Sequence, residues 1–180
     1  FPLGRTPLLV LSAAVLRIVS KMQYIISKRA QAVIEVELSH FPEMETGGLL
    51  LGYSEENEGI LILEATDSGY RDVIREVGRF QYDIAYEEHL CNLLSQLYHP
   101  PLQLVGVWHK HNSVHTNGFI PFSDADENMH FQLMKNGGPC VSILYEKTGG
   151  RDGNINYKAS VFLLSINGEH QNITKSVKWD

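Results

Sequence analysis

The run Leu102-Gln103-Leu104-Val105-Gly106-Val107-Trp108 reads as a buried strand, and it delivers the chain straight into His109-Lys110-His111. Side chains at i and i+2 of a strand leave on the same side. His109 and His111 therefore offer two imidazoles to one point where the strand exits. A fold that satisfies this chain must hold that strand inside a sheet and bring further ligands to its end.

The flanking segments supply the rest of such a sheet. Ser27 can cap a helix over 27–40, with apolar members Ala30, Val33, Ile34, Val36 and Leu38 and a stop before Pro42. The apolar runs 47–53 and 59–66, joined by the acidic stretch 54–58, form a hairpin signature. A short strand is expected at 77–82. A second helix over 84–98 carries apolar residues at 84, 90, 93, 94 and 97 and ends before Pro100-Pro101. A third helix begins at Ser123 and ends at Asn136-Gly137-Gly138, and three further strands are expected at 141–146, 157–166 and 173–179. The sequence thus predicts an α+β fold, a mixed β-sheet flanked by helices.

With 180 residues, 43% of them hydrophobic, and net charge −6, the chain has the size and composition of one domain. The acidic balance gives no general pull toward phosphates, so nucleic acid is not expected as a partner. Cys91 and Cys140 both sit in apolar contexts and read as buried free thiols, which fits a reducing, cytoplasmic setting. The apolar run from Pro7 to Leu16 is interrupted by Arg17 and is shorter than the ~20 residues a bilayer demands, so no membrane is expected either. Met22 looks like a natural start, and residues 1–21 read as an appended or partner-derived segment ahead of a catalytic domain over 22–180; an upstream extension is the plainer alternative.

Two imidazoles are half of a zinc site. Zinc takes about four ligands and a catalytic site keeps one position for water, so a third protein ligand is needed. Asp126, in the first turn of the third helix, is the nearest candidate, with Asp124 as a substitute. Amide hydrolysis also needs a base for the water and an acid for the leaving amine. Glu45 is the candidate, standing before Thr46-Gly47-Gly48 at the mouth of a strand where the glycines keep the backbone slim. Ser123 can donate a hydrogen bond to the developing oxyanion.

In this order, Glu45-Thr-Gly-Gly-Leu-Leu-Leu-Gly, Val105-Gly-Val-Trp-His-Lys-His and Ser123-x-x-Asp126 resemble the JAMM signature of the JAB/MPN metalloproteases. The resemblance covers roughly residues 22–150. It implies the JAB/MPN fold, related to that of the cytidine deaminases, and one zinc ion per chain on His109, His111 and Asp126. It gives Glu45 the role of general acid/base and Ser123 that of oxyanion helper. Three departures stand out: Lys110 replaces a small hydroxyl residue, Asn112 replaces a proline, and the loop from His111 to Ser123 is longer than usual. Short single-domain members include peptidases that remove ubiquitin-like or other conjugated proteins at their C-terminal tails, some of them in antiphage operons. The implied activity is cleavage of the amide bond after such a tail, with the conjugated protein as partner.

Each element has a plainer reading alone. His-x-His occurs on surface strands, Ser-x-x-Asp is a helix capping box, and Glu-Thr-Gly-Gly is a helix-to-strand turn. His115 reads as a rim residue, His130 as a core or surface residue, and His40, His89, His99 and His170 as structural. Trp108 and Phe122 are expected to wall the histidines. Zinc deaminases need His-x-Glu and Pro-Cys-x-x-Cys, which this chain lacks, and no His-Glu-x-x-His occurs. The remaining alternatives are a non-catalytic MPN-like binding module and a small-peptide zinc hydrolase.

Overall fold

Ser27 opens the first helix as its context predicts: its Oγ accepts from the Ala30 amide at 3.1 Å and donates to the Leu63 carbonyl at 2.7 Å, fastening the cap to the sheet. A computed structural model describes residues 23–55, 59–112, 122–135, 140–149, 155–165 and 167–180. The appended segment and the expected rim residue His115 lie outside them. Helix α1 (Lys28–His40) buries Ala30, Ile34 and Leu38, while Val36, expected on the same face, is exposed.

The strands are β1 (Gln23–Ile26), β2 (Thr46–Glu55), β3 (Gly59–Ala65), β4 (Ile74–Arg75), β5 (Phe80–Gln81), β6 (Gln103–His111), β7 (Cys140–Gly149), β8 (Ile155–Leu164), β9 (His170–Asn172) and β10 (Val177–Trp179). Eight of them form one mixed sheet in the order β10-β1-β3-β2-β6-β7-β8-β9. The β2–β3 pair is the expected antiparallel hairpin, and β6 runs parallel to β7. The fold is α+β, with helices α1, α2 (Ile84–Gln96) and α3 (Asp124–Lys135) around the sheet.

The structure corrects four expectations. The strand expected at 77–82 is instead the small β4–β5 hairpin, with Val77 exposed at its tip. The strand expected at 173–179 is split by a 3-10 turn at Thr174–Ser176. Only its last part, β10, is strand, and β10 pairs with β1 at one end of the sheet while β9, just before the turn, pairs with β8 at the other, so the sheet curls until its two edges approach. In α2 the apolar repeat does not form a buried face: Ile84, Leu93 and Leu97 are exposed, Leu90 and Leu94 are only partly buried, and Glu87 is the residue it buries. Finally, Cys140 is buried but Cys91 is only partly so; both thiols are free.

Two apolar clusters result. The larger joins α1 to the sheet through Ile34, Leu38, Leu50, Ile62, Val105, Trp108 and Ile143. The smaller lies beside α3, with Phe122, Met134, Leu144 and Phe162. Removing a core side chain such as Leu50 costs about 2–5 kcal/mol. No helix among the described residues is long and apolar enough to cross a membrane.

Candidate metal centre

Strand β6 carries its ladder through His111, so the histidines belong to the strand itself. Its neighbours β2 and β7 pair with it as far as Lys110 and His111, which fixes the backbone from which both imidazoles project. Close approach is needed on the β2 side: a Cβ on Gly47 would lie 2.5 Å from the Trp108 carbonyl oxygen and 3.0 Å from the His109 Cβ.

Strand alternation sends His109 and His111 to the α3 side. His109 Nε2 lies 3.0 Å from His111 Nε2. Asp126 approaches from the first turn of α3, with Oδ1 3.6 Å from His109 Nε2 and Oδ2 3.6 Å from His111 Nε2. A tetrahedral zinc with bonds near 2.0–2.1 Å separates its ligand atoms by about 3.3 Å, and these three distances bracket that value. The His-His-Asp group can therefore hold a metal ion. Asp124, the substitute candidate, is exposed on α3 and is not part of this group.

Ser123 and Asp126 form the reciprocal capping box their spacing allows. The Ser123 amide and hydroxyl both donate to Asp126 Oδ2 at 2.8 Å, and the Asp126 amide donates back to Ser123 Oγ at 3.3 Å. The capping box thus aims the carboxylate at the histidines. Burial raises the Asp126 pKa, but the facing His111 ring, the proximity of His109 and the two bonds from Ser123 outweigh it and hold the carboxyl below its ordinary value. Burial drives the His109 pKa down to about 3, so its imidazole is neutral and ready to ligate at neutral pH.

Glu45 is half-buried, one residue before β2. Burial raises its pKa, with Asp126 adding to the rise, while His111, Lys110 and the backbone amide of Asn112 oppose it. Glu45 thus shares an electrostatic environment with two of the three ligands.

Phe122 walls the site as expected, its ring centroid 6.0 Å from that of His109. Trp108 does not: it points to the opposite face of β6, donates its indole N–H to the Thr66 carbonyl at 2.9 Å and packs edge-on against Tyr145. His130, read as a core or surface residue, lies in the core. It is buried at 1% exposure, and its ring stands edge-to-face 4.8 Å from Phe122. Neither of its nitrogens has a hydrogen-bond partner among the described residues, and burial lowers its pKa to about 4. Its spacing of one helical turn from Asp126 was the available signal. His40, His89 and His99 lie on the surface.

No family model matches the chain, and no curated protein matches it in sequence. Among solved structures, the chain is similar to protein DSY2949 from Desulfitobacterium hafniense, whose solution structure is matched over 88% of this chain and 93% of that one, with a TM-score of 0.57 at 11% sequence identity. This likeness concerns the fold alone.

Proposed function

We propose that the chain is a zinc-dependent hydrolase of the JAB/MPN type that cleaves an amide or isopeptide bond after the C-terminal tail of a ubiquitin-like or similarly conjugated protein. The observation that carries the proposal is the convergence of His109, His111 and Asp126 at separations of 3.0 and 3.6 Å, with the half-buried Glu45 carboxyl electrostatically coupled to His111 and Asp126. When bound there, zinc would acidify a water ligand and polarise the scissile carbonyl. Glu45 accepts the proton released by the attacking water and delivers it to the departing amine. Ser123 would assist the oxyanion; its hydroxyl is given to Asp126 in this structure, so that role requires the hydroxyl to turn away from the carboxylate. Phe122 keeps one side of the site apolar, which strengthens every charge interaction within it.

Elemental analysis of chelator-free protein, with cleavage of linear and isopeptide-linked ubiquitin-like fusions measured alongside, tests this reading. One zinc per chain and zinc-dependent cleavage are expected. Zinc without cleavage of either fusion would overturn the conjugate substrate, and absence of both zinc and zinc-restored cleavage would leave a protein-binding module.

A further inference from the structure

The ladder between β2 and β6 ends at Thr46, opposite Lys110. Glu45 lies one residue beyond it, so the sheet that places the histidines does not place their acid/base partner. The fastenings of the 41–45 turn decide where that carboxyl stands. We propose that Lys110 and Asn112 are positioning residues that tie this turn, and Glu45 with it, to the strand that presents His109 and His111. The inference rests on the metallohydrolase reading above.

Both residues alternate with the ligands along the same strand end. Lys110 is fully buried on the opposite face, and its ammonium donates to the Phe41 carbonyl, the first residue after α1. There it meets the negative end of the helix dipole and stands 5.6 Å from the centre of the Tyr157 ring. Tyr157 in turn donates its hydroxyl to the Leu38 carbonyl at 3.2 Å. A buried ammonium is an expensive way to fill a position that an apolar side chain would occupy without desolvation cost, and here its hydrogen bond goes to the start of the turn.

Asn112 holds the other end. Its amide donates to the Glu43 carbonyl at 2.9 Å and to the Val77 carbonyl at 3.3 Å, joining the turn to the β4–β5 hairpin. Its backbone N–H favours the charged form of the Glu45 carboxyl. The hairpin adds a third bond, from the Glu45 amide to the Glu76 carbonyl at 2.9 Å. The positions that separate and follow the two histidines thus set the distance between ligand strand and acid/base.

Lys110→Met and Asn112→Ala test this in the full chain, with Lys110→Arg as the conservative control. Three quantities are read: amide hydrogen exchange of residues 42–46 in metal-free protein, zinc affinity by chelator competition, and kcat and KM on the fusion substrates. Each variant is expected to speed exchange and lower kcat by roughly tenfold or more. Zinc affinity and KM should stay near wild type, and Lys110→Arg should recover most of the kcat. Unchanged exchange or unchanged kcat overturns the inference, as does a fall in zinc affinity that matches the fall in kcat. If Lys110→Met fails to fold, Asn112→Ala, just past the end of β6, decides the matter. Wild-type protein that holds zinc but cleaves nothing would defeat the functional reading, and exchange would then decide alone whether these residues hold the turn.

Discussion

Residues 108–111 of β6 send Trp108 and Lys110 to one face of the sheet and His109 and His111 to the other. On the first face the polar atoms are spent on protein: the Trp108 indole bonds Thr66 and the Lys110 ammonium bonds Phe41. On the second, His109 Nδ1 and both nitrogens of the nearby His130 are buried without hydrogen-bond partners among the described residues. Buried polar atoms are ordinarily satisfied, so the two faces differ: the first has its polar groups bonded within the protein, and the second keeps these nitrogens without partners beside the group that could hold a metal ion. Four experiments test that contrast.

The largest effect is expected on the ligand face. His109→Ala or His111→Ala should abolish stoichiometric zinc binding and lower kcat/KM by at least about 10³, while leaving the circular dichroism spectrum unchanged. Zinc retained at one per chain in either variant would show that the imidazoles are not the ligands. Next, Glu45→Gln should keep the metal and lower kcat by about 10²–10⁴, separating binding from proton transfer. Loss of zinc in that variant would make Glu45 a ligand instead of an acid/base.

The supporting face is probed through Glu37, at the end of α1. Its Oε1 accepts from Thr46 Oγ1 and Ser68 Oγ, both at 2.6 Å, and from an Arg75 guanidinium nitrogen at 3.0 Å. Glu37→Ala leaves the Arg75 guanidinium, which is only 11% exposed, without its counter-ion. Breaking a buried pair from one side costs about 3–5 kcal/mol, which urea unfolding will read. Zinc affinity measured below the unfolding transition should change little, because the histidines are held from the other face of the sheet.

The sequence revealed the ligand face better than the supporting one, for physical reasons. The spacing of His109 and His111 is a property of one strand, and the Ser123–Asp126 box is a property of one helical turn, so both are local. The same alternation rule, applied to Trp108, would have placed it opposite the histidines. What was not legible depends on long-range pairing. β1 is only four residues long and acquires its identity from β3 and β10. The division of 170–179 between two sheet edges follows from the curl of the whole sheet. Helix α2 has an apolar period, but its buried position is Glu87, because the acid finds a hydrogen bond from Thr66 Oγ1 at 2.8 Å that the pattern of apolar residues does not encode.

Glu87 supplies the smallest and most discriminating test, since its Oε2 is also buried without a hydrogen-bond partner among the described residues yet belongs to neither face of the site. Here a proton does what a ligand would do elsewhere: burial lifts the pKa from 4.5 to about 8, reinforced by Asp67, Asp83 and Glu37 against the lowering effect of Thr66. Below the unfolded value of 4.5 both states hold the proton, and the contribution of Glu87 to stability is fully present. Between 4.5 and about 8 the unfolded chain releases the proton while the folded one keeps it, so this contribution falls as pH rises and is lost through the folded value. Glu87→Gln should therefore remove a pH-dependent loss of stability, and urea unfolding at about pH 5 and about pH 9 should show the variant gaining on wild type at the higher pH. Parallel behaviour of the two proteins would mean that Glu87 is ionised in the fold. An unpartnered buried oxygen would then have found a partner other than a proton, and the contrast between the faces of β6 would extend to this third site.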